Sequence, residues 1–124
     1  MTATPFLQAW FEVMDSDTPE RVLDRITDDF VMSVQFSKGE GQSAEFVGDR
    51  AGLVAYLEQR EKSVLVHHVT HSATVDGVEL VLGRTTRDGD FEASFNASAM
   101  IDASTGRCQR LLIGRTPEVR FPQS

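Results

Sequence analysis

The spacing of apolar residues changes along the chain, from a helical period near the N-terminus to a period of two in the second half. Thr4 followed by Pro5 has the form of a helix start, with Thr4 as N-cap and proline at the first helical position. The helix that follows is apolar on more than one side, so we expect it to lie between a sheet and another layer. A second helix is predicted at Pro19, with Asp17 or Thr18 as its N-cap.

Residues 28–37 alternate between apolar and polar side chains, which is typical of a β-strand. One face of this strand carries the large apolar residues Phe30, Met32, Val34 and Phe36. A loop follows, and residues 44–47 indicate a short strand. Asp49 has the position of an N-cap for a third helix over residues 48–62.

Four longer strands are predicted after the third helix, over residues 64–75, 78–87, 90–101 and about 107–116. Asp76 with Gly77 and Asp88 with Gly89 separate the first three of them. An Asp-Gly pair favours a two-residue hairpin, because both central positions need a positive φ. Helices followed by an antiparallel meander indicate the α+β class, and a chain of 124 residues fits one domain, residues 1–124.

Two-residue turns fix which residues face each other in neighbouring strands. The predicted pairs are His71 with Leu82, Val69 with Arg84, His67 with Thr86, Arg84 with Ala93, and Leu82 with Phe95. One face of the resulting sheet is apolar except for His67, His71 and Arg84. The opposite face carries His68, Thr70, Ser72, Thr74, Glu79, Val81, Thr85, Arg87, Glu92, Ser94, Asn96 and Ser98. A bulge in any of these strands would invert part of this map.

The polar face is rich in Ser and Thr and carries little charge at its centre. Two interpretations remain open, a surface between the subunits of a homodimer or plain exposure to solvent.

Charge and composition exclude several classes of protein. The net charge is −7, with 12 acids against 6 bases in the first 62 residues, which disfavours nucleic acid as a partner. The apolar runs are too short to span a membrane, and the first ten residues lack the basic region of a signal peptide. The single cysteine, Cys108, cannot form an internal disulfide, which fits a reducing compartment. We therefore expect a cytoplasmic protein.

The order of the elements, with "DDF" in the first strand, "VGDR" before the third helix and "HHVTHSATVDG" at the start of the meander, resembles the nuclear transport factor 2-like superfamily. Within it, the chain resembles the SnoaL-like proteins over nearly its whole length. The resemblance implies a cone-like, cystatin-like fold, in which a curved, mixed, mainly antiparallel sheet wraps around N-terminal helices and its mouth holds a small apolar ligand. Members include ketosteroid isomerases, scytalone dehydratases, limonene epoxide hydrolases and polyketide cyclases, alongside many without catalysis. Relatives often carry "HHVTN", where this chain has His71 in place of the asparagine.

His67, His71 and Arg84 are the first candidates for acid–base chemistry in such a cone. An imidazole titrates near neutral pH, and a guanidinium can stabilise an oxyanion or bind a carboxylate. A buried arginine needs a partner, and Asp28 and Asp29 are available at the start of the first strand. Asp28 and Asp29 are also the nearest candidates for the base of the alternative, carboxylate mechanism, although a "DDF" at a helix–strand junction more often caps or turns the chain. For each histidine, the competing interpretation is a hydrogen-bonded core or rim residue.

A metal site is not expected, because His67 and His71 lie about 13 Å apart along one strand. The side chains expected to line the pocket are Trp10, Met14, Phe36, Tyr56, Val69, Leu82 and Phe95. The predicted function is a cofactor-independent isomerase, dehydratase or cyclase that acts on a small apolar or carbonyl compound. The alternative is a non-catalytic domain that binds a ligand or forms a dimer.

Overall fold

The computed structural model describes residues 2–59 and 64–122. Within these residues the helical segments are α1, Pro5–Met14, a 3-10 helix, Pro19–Arg25, and α2, Arg50–Gln59. Asp49 caps α2 as predicted, since its Oδ1 accepts the backbone N–H of Gly52 at 2.9 Å. The last residues of the predicted third helix, up to residue 62, lie outside the described part.

A mixed sheet forms the other layer. Its strands are β1, Ile26–Gly39, β2, Gln42–Asp49, β3, Leu65–Val75, β4, Val78–Arg87, β5, Asp90–Ile101, and β6, Cys108–Thr116. The strand order is β2-β1-β6-β5-β4-β3, in which β1 and β6 run parallel and all other neighbours run antiparallel. The predicted α+β class with a mixed, mainly antiparallel sheet is confirmed.

Both Asp-Gly pairs form the predicted two-residue turns. Asp76 and Gly77 have φ angles of 51° and 80°, and Asp88 and Gly89 have φ angles of 52° and 85°. These values lie in the left-handed region, which the first position of a type I′ turn and the following glycine both require.

A bulge in β3 changes the register between β3 and β4 in the part of the hairpin that is farther from the turn at Asp76 and Gly77. Thr70 lies between two paired residues, Val69 and His71, and has no partner in β4. The observed pairs are His71 with Leu82, Val69 with Gly83, and His67 with Thr85. The first of these pairs is as predicted and the other two are shifted by one residue, because the bulge adds one residue to β3.

A second irregularity, in β5, has the same effect on the next hairpin. The register shifts between the pairs of Thr85 and Thr86, so Glu92 is not paired with any residue of β4 in the backbone ladder. The observed pairs are Thr85 with Ala93, Arg84 with Ser94, Gly83 with Phe95, and Leu82 with Asn96. The predicted pairs of Arg84 with Ala93 and of Leu82 with Phe95 are therefore wrong.

These shifts invert the predicted orientation of β4. Its buried positions are Glu79, Val81, Gly83 and Thr85, which share the inner face of the sheet with Ala93, Phe95, Ala97 and Ala99 of β5. The outer face carries Leu80, Leu82 and Arg84 instead. Because side chains alternate with a period of two, one extra residue moves every following side chain to the other face.

The core lies between α1 and this inner face. Its fully buried large side chains include Leu7, Phe30, Leu53 and Leu111. Burying a side chain of this size contributes about 1.5–3 kcal/mol. The predicted apolar face of the first strand is correct, because Phe30 and Met32 belong to this core.

Glu79 caps α1 in place of the predicted Thr4. Its two carboxylate oxygens accept the backbone N–H groups of Phe6 at 3.0 Å and Leu7 at 2.8 Å. Thr4 makes no capping hydrogen bond with its side chain, although it occupies the N-cap position. Thr18, at the N-cap of the 3-10 helix, makes none either. No helix within residues 2–59 or 64–122 has both the length and the apolar character needed to cross a membrane.

Candidate functional site

A cavity of about 420 Å³ lies between α1, α2 and the inner face of the sheet. Its wall consists of Trp10, Phe11, Met14, Met32, Val34, Phe36, Glu45, Phe46, Leu53, Tyr56, Leu65, His67, Phe95, Ile113 and Arg115. Most of these side chains are apolar or aromatic, and only a few can form directed polar contacts. A mostly apolar cavity with few polar groups is typical of a small-molecule site.

His67, which belongs to this wall, is hydrogen-bonded to Asp15, and the contact becomes an ion pair when the imidazole is protonated. The imidazole Nδ1 lies 2.7 Å from Oδ1 of Asp15, and the backbone N–H of His67 donates to Oδ2 at 2.8 Å. Their side chains are only 16% and 15% exposed, respectively. Both carboxylate oxygens of Asp15 are therefore directed at one residue, which fixes the position and the rotation of the imidazole.

The hydrogen bond from Nδ1 also selects the tautomer of neutral His67. An ionised carboxylate only accepts hydrogen bonds, so Nδ1 carries the hydrogen. The lone pair is then on Nε2, at the opposite edge of the ring. His67 thus has the arrangement of a general base that is oriented by a carboxylate.

Two phenylalanines pack against the imidazole. The ring of Phe11 is stacked on that of His67 with centroids 4.7 Å apart, and the ring of Phe95 meets it edge-on at 5.3 Å. Phe95 in turn occupies the space beside Gly83, where an added Cβ would lie 2.5 Å from its Cζ. A side chain at position 83 would displace Phe95, so this glycine helps to determine where the imidazole lies.

The polar groups elsewhere on the cavity wall are Glu45, Tyr56 and Arg115. Glu45 accepts a hydrogen bond from the side-chain amide of Gln35 at 2.9 Å. The ring of Tyr56 packs against Phe46 with centroids 5.1 Å apart. The guanidinium of Arg115 lies 5.3 Å from the centroid of the Phe36 ring.

His67, His71 and Arg84 do not converge on one cavity, which corrects the prediction from the sequence. His67 lines the cavity between α1 and the sheet, whereas His71 and Arg84 line a depression of about 360 Å³ on the outer face. Residues Arg120 and Phe121 complete that depression. The cause is the bulge at Thr70, which places His67 and His71 on opposite faces.

Asp29 lies away from the cavity as well. Its carboxylate accepts a hydrogen bond from the hydroxyl of Thr27 at 2.6 Å, and its backbone oxygen accepts one from Arg110 at 2.8 Å. The expected role as partner of Arg84 therefore has no support from its position, because the residue is exposed at the start of β1.

Five of the expected pocket residues line the cavity: Trp10, Met14, Phe36, Tyr56 and Phe95. Leu82 does not, since it faces the outer depression, and Val69 packs against the core. Sequence reasoning missed Asp15. Its only local signal is its position directly after α1, and nothing in the sequence connects it with a histidine 52 residues away.

Cys108 is buried and is not a candidate nucleophile. Burial raises the pKa of its thiol to about 12, so the reactive thiolate is scarce at neutral pH. In the described part of the chain, no group of three or more His, Cys, Asp or Glu side chains has an arrangement that could hold a metal ion.

Comparison with known proteins gives a likeness of fold. No protein-family model matches the sequence, and no curated protein matches it either. A candidate isomerase of the SnoaL-like family from Agrobacterium tumefaciens is 13% identical, with a TM-score of 0.66, and the match covers 90% of this chain and 94% of that one. A candidate polyketide cyclase from Sinorhizobium meliloti is 15% identical, with a TM-score of 0.61 and coverage of 88% and 93%.

A nuclear transport factor 2-like protein of unknown function from Burkholderia xenovorans is 12% identical, with a TM-score of 0.66 and coverage of 95% and 85%. The chain therefore has the cone-like nuclear transport factor 2-like fold, as its sequence predicted. The likeness extends over nearly the whole of each chain.

Proposed function

We propose that this protein is a SnoaL-like, cofactor-independent enzyme that moves a proton on a small carbonyl compound, as an isomerase, cyclase or dehydratase does. The observation that carries the proposal is the position of His67 on the wall of an apolar cavity, with its imidazole hydrogen-bonded to Asp15. A carboxylate-oriented imidazole is a recurrent arrangement for general acid–base catalysis. The names of two proteins of the same fold, a candidate isomerase and a candidate polyketide cyclase, agree with this class of reaction.

The reaction begins with transfer of a proton from a carbon next to the carbonyl group to Nε2 of His67. The electron pair of the broken C–H bond moves into the carbonyl group and forms an enolate, and the imidazole becomes a cation beside Asp15. Return of the proton from Nε2 to another carbon of a conjugated enolate gives an isomer. Attack of the enolate on a second carbonyl carbon closes a ring, and the alkoxide that forms takes the proton from Nε2. Loss of a hydroxyl from the carbon next to the enolate, with the proton of Nε2 transferred to the leaving oxygen, gives water and the dehydrated product.

The surroundings of His67 favour this chemistry. Asp15 stabilises the imidazolium that forms, and two aromatic rings keep the imidazole from rotating away. Tyr56 supplies a hydroxyl on the same cavity wall, which is a donor for the oxygen of an enolate. His71, Arg84 and Asp29 have no part in the proposal, because none of them lines this cavity.

The experiment uses 2-tetralone, a small apolar ketone with acidic protons at C1. Exchange of these protons for deuterium in D₂O is followed by proton NMR with the native protein and with His67→Gln. We expect the native protein to accelerate exchange, and His67→Gln to lose about 100-fold or more of that acceleration, which is typical for removal of a general base.

His71→Gln is the matched control, because it changes a histidine on the outer face of the same strand. It should exchange 2-tetralone as fast as the native protein does. Acceleration that survives in His67→Gln, or disappears in His71→Gln, would contradict the proposal. Binding of 2-tetralone without acceleration would favour the alternative, a ligand-binding domain without catalysis.

We also propose that the outer face of the sheet joins two copies of the chain. Leu80, Met100 and Leu112 lie on three neighbouring strands of this face and are exposed at 40%, 41% and 62%. Sedimentation equilibrium should give a dimer for the native protein and a monomer for Leu112→Arg. Val47→Arg, at an equally exposed valine on β2, should remain a dimer, and a monomeric native protein would refute the proposal.

A further inference from the structure

Arg115 is the permanently charged cation on the wall of the cavity, among the residues that the structure describes. It extends from β6 beside Phe36 of β1 and Phe95 of β5, which are its partners in the two neighbouring strands. No described carboxylate lies within ion-pair distance of its guanidinium. The guanidinium lies over the face of the Phe36 ring.

A guanidinium in such a setting is well suited to a flat anion. Arginine presents a planar fork of donors that matches a carboxylate, and its hydrogen bonds to one are worth most where water is scarce. Glu45 lines the same cavity, but its carboxylate is engaged by Gln35. One guanidinium carries a single positive charge, so it neutralises a group with a single negative charge, such as a carboxylate, and would leave a doubly charged phosphate monoester unbalanced.

The position of Arg115 relative to His67 sets the length of the ligand. The strands β3 and β6 are separated by β4 and β5, so the two backbones lie about 14 Å apart along a flat sheet, from three strand spacings of about 4.8 Å. Both residues line the cavity, and Phe95, which is paired with Arg115 and contacts the ring of His67, lies between them on the inner face. A molecule with two fused rings bridges such a gap.

We infer that the cavity takes an aromatic or polycyclic monocarboxylate, whose carboxylate is bound by Arg115 and whose apolar rings lie against Phe36 and Phe95. This inference deepens the proposed function. It depends on the proposed function only for the statement that the far end of the ligand reaches Nε2 of His67. The binding of the carboxylate does not depend on any catalysis.

The test compares two probes of equal shape, 2-naphthoate and 2-naphthamide, by isothermal titration calorimetry. The native protein should bind the carboxylate at least about tenfold more tightly than the neutral amide, since hydrogen bonds between two charged groups are stronger than those to a neutral amide. Arg115→Gln should bind the two probes equally, and Arg115→Lys should keep part of the preference. Retention of the preference in Arg115→Lys also shows that position 115 tolerates substitution without loss of the fold.

Arg84→Gln is the control for the depression on the outer face, and it should leave the preference unchanged. Equal affinities for the two probes in the native protein, absence of binding by 2-naphthoate, or loss of the preference in Arg84→Gln would each overturn the inference. His67→Gln should still bind 2-naphthoate. If 2-tetralone exchange fails while the preference for the carboxylate persists, the proposed function is wrong and the anion site stands.

Discussion

A buried or nearly buried carboxylate lies at each end of α1. The helix dipole favours the negative charge of one carboxylate and opposes that of the other. Glu79 accepts backbone N–H groups at the start of the helix, where the helix dipole favours a negative charge. Asp15 lies at the end of the helix, where the dipole opposes a negative charge, and its partner is His67. Glu79 is 3% exposed and is not part of the cavity wall, whereas the partner of Asp15 belongs to that wall.

This difference separates an acid with a structural role from one that the proposed function uses. The groups that Glu79 binds are backbone amides, which cannot change their protonation, so the contact only stabilises the fold. The group that Asp15 binds is an imidazole, which can accept a second proton and become a cation. The charge of Asp15 is therefore available to stabilise a cation that forms during a reaction.

The largest effect on stability is expected from Glu79→Ala. Two buried N–H groups lose a charged acceptor, and the free energy of unfolding should fall by about 3 kcal/mol. Urea denaturation followed by circular dichroism measures this loss. Glu92→Ala, which removes a partly exposed ion pair with Arg87, should cost less than about 0.5 kcal/mol. If the free energy of unfolding falls by a similar amount in the two variants, Glu79 contributes no more to stability than an ordinary surface acid.

Gly83→Ala should affect stability and activity together. The added Cβ would lie 2.3 Å from the backbone oxygen of His68 and 2.5 Å from Cζ of Phe95. We expect a loss of about 2 kcal/mol in unfolding experiments, and slower exchange of 2-tetralone because Phe95 no longer holds His67. Gly52→Ala, where the nearest atom is 3.5 Å away in a helix, should leave both properties near their native values. Full exchange activity in Gly83→Ala would show that Phe95 is not needed to hold His67 in place.

Asp15→Asn tests the other end of the helix. Asparagine retains an acceptor for the backbone N–H of His67 but loses the charge, so kcat for 2-tetralone exchange should fall about tenfold or more with KM unchanged. The free energy of unfolding should change by less than about 1 kcal/mol, since the unfavourable interaction of the carboxylate with the helix dipole is lost together with its hydrogen bond to His67. A large loss of stability with unaltered kcat would assign Asp15 the same role as Glu79.

The smallest effect concerns Cys108 and alkaline pH. Burial, with a smaller contribution from the charge of Glu79, raises the pKa of the thiol from 9.0 to about 12. A raised pKa means that the fold favours the protonated thiol, so this stabilisation is complete below pH 9 and is lost as the pH rises from about 9 toward 12. The urea midpoint of the native protein should fall more between pH 8 and pH 10 than that of Cys108→Ala. Parallel curves would contradict the assignment.

The elements of this fold follow from local sequence because each depends on residues close together in the chain. The proline-led start of α1, the alternation in β1, the cap of α2 by Asp49 and both Asp-Gly turns are of this kind. Five of the expected pocket residues also line the cavity, since bulky apolar side chains near the N-terminus and on the inner strands meet inside a cone.

Only the tertiary structure decided which charged groups meet. The bulge at Thr70 and the one at Glu92 have no residue signature as clear as an Asp-Gly turn, yet each inverts a strand face. They place Glu79 and His67 on the inner face and His71 and Arg84 on the outer one. The contacts of Glu79 with α1 and of Asp15 with His67 join residues more than 50 positions apart, and such pairs are set by the packing of a helix on a sheet.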